Sequence, residues 1–470
     1  MRPAREESWE PAISSTATDG RLSFWDGVSL MIGIVVGVTI FEAPPAVFNN
    51  VPGPWHGMGI WLLGGILSLI GALCYAELAT AYPRTGGDYV YLTEAFGPCA
   101  GFLFGWAQLA AVLTSSTGAM AYVFANYAAA LWELETRHIV LLAILPVVVL
   151  SLVNMLGITC GKTVQNLLTL AKLSGVLAII LAGLAYGGDS PASAQAPVAG
   201  LGWRFAVILV LYAYGGWNDT AFVAAEVRSP RRNIPRVLVV GTAAITLIYL
   251  LVNLAYLFAL GFDGLRSSKT PATDVLRLML GENGSQWMSI LVMVSALGAV
   301  NGIILTGSRV YATLGSEHRV FAWLGHWNSS WGVPTRSIAA QAVVTVALIA
   351  LVGTETGRQW VDWGVQTIGL GSLPWQDYGG GFSLLVSATA PVFWLFFLGT
   401  GLALFILRRR QPHVERPFSV PFYPWLPITF CLMCCFMLYA SLTYAKALAL
   451  LGIVPVLCGL PLYWVGGGRK

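Results

Sequence analysis

Two stretches decide the fold: GVSLMIGIVVGVTIFEAPPAVF at 27–48 and VLYAYGGWNDTAFVAAE at 210–226. Each is apolar enough to lie in a membrane, and each is interrupted. The first carries Gly33 and Gly37 inside it and closes on Pro44 and Pro45, while the second carries Gly215 and Gly216 followed by the polar Asn218 and Asp219. Glycine inside a helix costs up to about 1 kcal/mol relative to alanine, and an unpaired backbone group in hydrocarbon costs several more. Such glycines either permit close helix packing or mark breaks whose freed groups a cavity or ligand satisfies.

The surrounding chain is of the same character. Its 470 residues are 56% hydrophobic and 10% charged, and a mean hydropathy of +0.71 exceeds what a soluble surface tolerates. A membrane span needs roughly 20 mainly apolar residues. Such runs recur near 25–49, 58–82, 96–132, 139–158, 163–187, 204–225, 236–261, 285–315, 337–353, 383–407, 422–444 and 447–466. The sequence therefore predicts an all-α polytopic membrane protein of about 12 transmembrane helices, with the lipid bilayer as its main partner.

The two breaks fall in spans one and six, the same place in two successive sets of five. That is the pattern of an inverted five-helix repeat with discontinuous helices 1 and 6 and a binding site at the midplane. The chain divides accordingly into a disordered cytosolic tail (1–24), a first repeat (25–187), a second repeat (204–407), two extra C-terminal spans (422–466) and a short cytosolic tail (467–470). The Gly- and Trp-rich segment 354–382 is expected outside, either as a lid or re-entrant piece or as an interfacial loop anchored by Trp360, Trp363 and Trp375.

Charge fixes the orientation. Eighteen of the 26 Lys and Arg residues fall in the alternate loops that share a side with both ends of the chain, which predicts a multi-pass plasma (inner) membrane protein with cytosolic termini. The polar first 20 residues have no apolar core of a cleavable signal peptide. A formal charge of +4 without a basic, aromatic-interleaved stripe argues against nucleic acid as a partner. The seven cysteines lack the spacing of a disulfide framework and read as buried thiols; Cys431, Cys434 and Cys435 have no neighbouring His or acid to complete a metal site. The five histidines do not cluster within a span, and HExxH is absent, so no catalytic set, metal or cofactor is indicated.

A broken helix exposes N–H groups at the start of its second half and carbonyls at the end of its first. A zwitterion suits both ends. Together with YAELATAYPRTGGDYVYLTEAFGP (75–98), FVAAEVRSPRRNIPRVL (222–238) and RRRQPHVERPFSVPFYPWLP (408–427), the two stretches resemble the amino acid, polyamine and organocation transporter superfamily, and within it the L-type branch and its bacterial relatives, from about Arg21 to Trp464.

The resemblance implies that a substrate carboxylate meets the amides of Gly37, Val38 and Thr39 and that its amino group meets the carbonyls of Val35, Tyr212, Ala213 and Gly215. It makes Tyr212 an aromatic gate, with Trp217 bordering the pocket. Lys172, in the fifth span, resembles a fixed stand-in for the sodium of related carriers, contacting the broken first helix; the competing reading is an ammonium snorkelling to the interface. Sodium coupling is thereby disfavoured, leaving exchange or protons.

The chain departs from the family at the first break, where the usual Gly-Ser-Gly-Ile-Phe is Gly37-Val38-Thr39-Ile40-Phe41. Branched side chains crowd the backbone there, although the Thr39 hydroxyl can donate. Glu42 follows, either attracting cationic substrates or carrying a proton, or standing as a solvated acid of the vestibule. Glu77 and Glu226 are expected to pair with Arg84, Arg228 or Arg231 as a structural gate. The loop WELETRH (132–138) lacks the cysteine through which animal L-type carriers join a glycoprotein, so no disulfide-linked subunit is implied.

The leading expectation is a secondary active permease moving small neutral amino acids by alternating access, by exchange or proton coupling. The alternatives are a carrier of cationic amino acids or polyamines, motivated by Glu42 and Asp219, and a non-transporting amino acid sensor, against which the short tails count.

Overall fold

The computed structural model describes residues 20–186, 202–367, 373, 375 and 380–466. The expected tails at 1–19 and 467–470 lie outside them. Among the described residues every element is helical apart from two isolated β-bridges. The chain starts with α1 (Phe24–Val35), α2 (Thr39–Glu42), α3 (Pro44–Asn49), α4 (Pro54–Ala81), α5 (Asp88–Phe96) and α6 (Pro98–Ala107). A π-helical turn, Gln108–Val112, joins α6 to α7 (Leu113–Leu131), followed by α8 (Ile139–Met155) and α9 (Ile158–Tyr186). Next come α10 (Trp203–Ala213), a 3₁₀ segment Trp217–Glu226, α11 (Pro230–Ser267), α12 (Pro271–Leu280) and α13 (Gly284–Glu317). The chain closes with α14 (Thr335–Gly353), α15 (Glu355–Thr367), α16 (Gly381–Arg410), α17 (Trp425–Ala445) and α18 (Ala449–Gly466).

Nine helical stretches among the described residues are long and apolar enough to cross a membrane. The last of them, Trp425–Gly466, contains both α17 and α18, and the interrupted α1–α3 and α10 with its 3₁₀ extension bring the set to about 12. Leu141, Leu145 and Leu152 on α8 and Leu167, Leu170 and Leu177 on α9 face outward, as lipid contact requires. Inside, small residues let helices close on one another: a Cβ on Gly65 of α4 would come within 2.5 Å of Thr246 on α11.

Several expectations are corrected. The tail 1–24 is not disordered throughout, because Leu22 donates to the Glu226 carbonyl, accepts from the Arg228 amide and is buried. Ser23 then caps α1, receiving the Asp26 amide while Asp26 accepts from the Ser23 amide. The segment 354–382 is a helix over Glu355–Thr367, started by the Thr354 hydroxyl accepting from the Gly357 amide, with Trp360 and Trp363 exposed and Trp375 donating to Asp362. Residues 368–372, 374 and 376–379 of that segment lie outside the described residues. Cys160, Cys435 and Cys458 are on the surface, so only some of the thiols are interior.

The acids at the arginine-rich end find distant partners instead of neighbouring ones. Glu77 on α4 accepts from Arg408 Nε on α16 at 2.7 Å and from the Val420 amide at 2.7 Å. Glu226 meets Arg309 on α13 in a fully interior bidentate pair, both side chains 1% exposed. Arg84 goes to Glu94 and Arg231 to Glu415.

Candidate functional site

α1 ends where the Val36 amide bonds the Ile32 carbonyl, and the next backbone link along that path is Phe41 N–H to Val38 O. Between them the amides of Gly37, Val38 and Thr39 have no backbone acceptor among the described residues. In an unbroken helix each would bond the carbonyl four residues back. Of those carbonyls, Gly33 and Val35 are held from outside the helix, as is the next one along, Val36.

Lys172 Nζ, 0% exposed on α9, donates to the Gly33 carbonyl at 2.7 Å. The Tyr249 hydroxyl of α11 stands 2.9 Å from the Val35 carbonyl and Ser295 Oγ of α13 donates to that of Val36 at 3.3 Å. The same Tyr249 oxygen is 2.8 Å from the Ala213 carbonyl at the end of α10. One hydroxyl proton is thus shared between the ends of both interrupted helices.

The second break turns on Gly216, whose φ of 104° is left-handed and whose Cβ position lies 2.8 Å from Ile34. Any other residue would be strained in backbone and would strike α1. Beyond it the chain runs as 3₁₀ helix for ten residues, Trp217–Glu226. Runs of that length are uncommon and mark strain or a hinge.

The breaks share one cavity of about 180 Å³. Val35, Gly37, Val38, Thr39, Tyr212, Ala213 and Gly215 all line it. Tyr212 is partly open to it, its hydroxyl 3.5 Å from the Val386 carbonyl of α16. The Ala213 and Val35 carbonyls already accept from Tyr249, and the Tyr212 carbonyl accepts from the Gly215 amide at 3.1 Å.

Trp217 does not border the cavity; this is a correction. Its ring packs between Tyr75, Phe397 and Phe430 at 5.1, 5.4 and 6.5 Å. Three residues per 3₁₀ turn in place of 3.6 rotate the faces of that segment. Glu42 is outside the lining too, exposed and accepting from the Tyr127 hydroxyl at 2.7 Å.

Residues that sequence reasoning did not place are Gln108, Ser116, Thr389 and Trp394, all on the cavity wall. Gln108 opens the π-helical turn, a distortion frequent at functional sites. Asn218 and Asp219 complete the polar lining, with Asn218 Nδ2 donating to Asp219 Oδ1 at 3.1 Å. Among the described residues no group of three or more His, Cys, Asp or Glu is placed to hold a metal.

Residues 22–458 match the family described as Amino acid permease. The chain is 30% identical to the Serine/threonine exchanger SteT of Bacillus subtilis over 94% of this chain and 96% of that one. It is 29% identical to the b(0,+)-type amino acid transporter 1 of Homo sapiens over 94% and 87%, and 27% identical to the Large neutral amino acids transporter small subunit 2 of Mus musculus over 99% and 85%.

Proposed function

We propose, from the premise that the chain belongs to the amino acid permease family, that it carries small neutral amino acids by alternating access around the cavity between its two broken helices. It is a secondary active amino acid transporter and not an enzyme.

The observation that carries the neutral, zwitterionic reading is the pairing of three partnerless amides, at Gly37, Val38 and Thr39, with the carbonyl ends of α1 and α10 in one cavity. A carboxylate is favoured at the amides and an ammonium at the carbonyls. Val38 and Thr39 narrow the approach and Val112, Ile303 and Phe393 line the remainder, which favours a small, uncharged side chain. The serine/threonine exchanger among its relatives supports the same size class.

Lys172 occupies with its own charge a place against the broken helix where a cation would otherwise sit, so the driving force is exchange or a proton gradient. The distribution of Lys and Arg supports an inner-membrane location with both termini in the cytosol, and the matching breaks support two five-helix repeats.

Uptake of radiolabelled L-serine into proteoliposomes, with and without internal amino acid, tests this. Stimulation by internal amino acid establishes exchange, and absence of uptake of any neutral amino acid by folded protein refutes the assignment. A cationic amino acid is the second reading, favoured by Asp219 on the cavity wall, and L-lysine as the labelled probe decides it.

A further inference from the structure

Two interior carboxyls lie beside the cavity without a cation. Asp219, on the cavity wall, is 5% exposed, and its carboxylate accepts from the Asn218 side-chain amide. Asp88 opens α5 one layer behind and is 2% exposed. α5 is pressed onto the 3₁₀ segment there: a Cβ on neighbouring Gly87 would lie 2.8 Å from Phe222 and 3.1 Å from the Ala221 backbone.

Asp88 Oδ1 accepts from the hydroxyls of Tyr75 on α4 and Thr400 on α16, while its Oδ2 is buried with no partner. Asn218 Oδ1, on the cavity wall, is buried and partnerless as well. The other titratable groups facing the pair are phenols: Tyr75 of α4 and Tyr91 of α5 toward Asp88, and Tyr311 of α13 toward Asp219. Among the described residues neither carboxyl has a Lys, Arg or His in hydrogen bond or ion pair, and the nearby Glu226 and Arg309 neutralise each other.

Two interior carboxylates on packed segments, out of water and without a counter-charge, are each costly to keep ionised. A proton taken up by either removes that cost for it. Asp88 lies between the spans Pro54–Ala81 and Pro98–Leu131, and burial pushes its carboxyl up to about 6 against the pull of the two hydroxyls.

We propose that Asp219, on the wall of the substrate cavity, and Asp88 behind it form a two-carboxyl proton site, so that one proton crosses with each amino acid. The site rests on the transport reading. A proton from water on the entry side forms an O–H bond at the Asp219 carboxylate, or at Asp88 through the pair; on the exit side that bond breaks and the proton returns to water. No other bond changes. With a zwitterionic substrate the cycle moves one positive charge.

The test uses the full chain in liposomes loaded with a pH-sensitive dye and given L-serine, L-leucine or L-lysine without a preset gradient. The expected result is internal acidification matching the entry of a neutral amino acid one for one. Asp88→Asn and Asp219→Asn should each cut acidification to under about a tenth of wild type. Thr400→Val, which keeps both carboxyls but takes a donor from the ionised form of Asp88, should shift the midpoint of coupled uptake upward by about half a pH unit.

Entry of serine or leucine without acidification overturns the proton site and leaves the transport reading standing. Entry of lysine alone, without acidification, also overturns it and makes Asp219 a partner of the substrate cation. Persistent coupling in folded Asp219→Asn overturns the assignment to this pair. No entry of any of the three into liposomes of folded protein removes the transport reading and the proton site with it.

Discussion

The ammonium of Lys172 bonds the Gly33 carbonyl at 2.7 Å, the position that the Gly37 amide would hold if the first helix were continuous. The lysine thus frees the Gly37 N–H for the cavity by satisfying the oxygen left behind. A Cβ on Gly298 would stand 3.6 Å from this ammonium and 3.7 Å from that oxygen, so α13 packs directly against the bond.

Lys172→Ala removes the donor and opens a polar void in the interior. Initial uptake should fall more than about 10-fold, a loss of 1.4 kcal/mol or more in the relevant barrier or binding step. Replacing sodium by choline outside should leave wild-type uptake unchanged within about twofold, because the charge against the broken helix is covalently fixed. Strict sodium dependence of the wild type would contradict this role.

Gly216→Ala should abolish transport while leaving the protein in the membrane. A left-handed φ costs a residue with a Cβ roughly 1–2 kcal/mol, and the new methyl would stand 2.8 Å from Ile34 across the two breaks. Gly215→Ala, whose Cβ position meets only the Tyr212 carbonyl at 3.2 Å, is expected to be milder. Side-by-side uptake by the two variants at matched expression tests the ordering.

Tyr249→Phe keeps the ring packed against Trp61 and Tyr214 but deletes the hydroxyl between the Val35 and Ala213 carbonyls. A hydrogen bond of about 0.5–1.5 kcal/mol predicts a loss of about 2- to 13-fold in uptake, with no change in the amount of folded protein. An unaltered rate would mean that the two helix ends are spaced by other contacts.

Glu77→Gln should lower thermal stability, because Arg408 loses its carboxylate and the Val420 amide loses a charged acceptor. Breaking a buried pair costs about 3–5 kcal/mol; Arg408 is 22% exposed, which reduces the expectation to about 2–3. Retention of the monodisperse peak after heating in detergent measures it.

His318 caps α13 just past the last residue of its span, with Nε2 3.1 Å from the Tyr89 hydroxyl. Burial pushes its imidazole down to about 4. Between that value and the ordinary 6.5 the unfolded chain binds a proton that the folded one does not, so stability rises with pH across the window and its contribution is complete above it. Melting of the wild type at pH 5 against pH 7 should show the loss, and His318→Gln should flatten it.

The breaks were legible because glycine next to proline or polar residues inside an apolar run has few other physical meanings. Partnerships across the chain were not. Glu77 joins Arg408, 331 residues away, and nearby Arg84 turns to Glu94, since helix packing decides which charges meet. Trp217, which the resemblance put at the pocket, lies on a 3₁₀ segment, and Gln108, which nothing in the sequence singled out, begins a π turn; both distortions shift the face that a 3.6-residue period assigns. Thr354 is the legible signal of α15 that a loop assignment passed over, a side-chain cap directly before Glu355.

The 3₁₀ segment between the cavity and the Glu226–Arg309 pair has a mechanical consequence. At about 2.0 Å per residue against 1.5 Å for α-helix, its ten residues hold roughly 5 Å of extra length and about half a turn of extra winding. Each residue relaxing to α pitch would draw Gly216 toward Glu226 by about 0.5 Å while rotating the intervening side chains. The segment is a screw thread in the protein's interior, coupling an axial displacement at its Glu226 end to a rotation of Asp219 near the other.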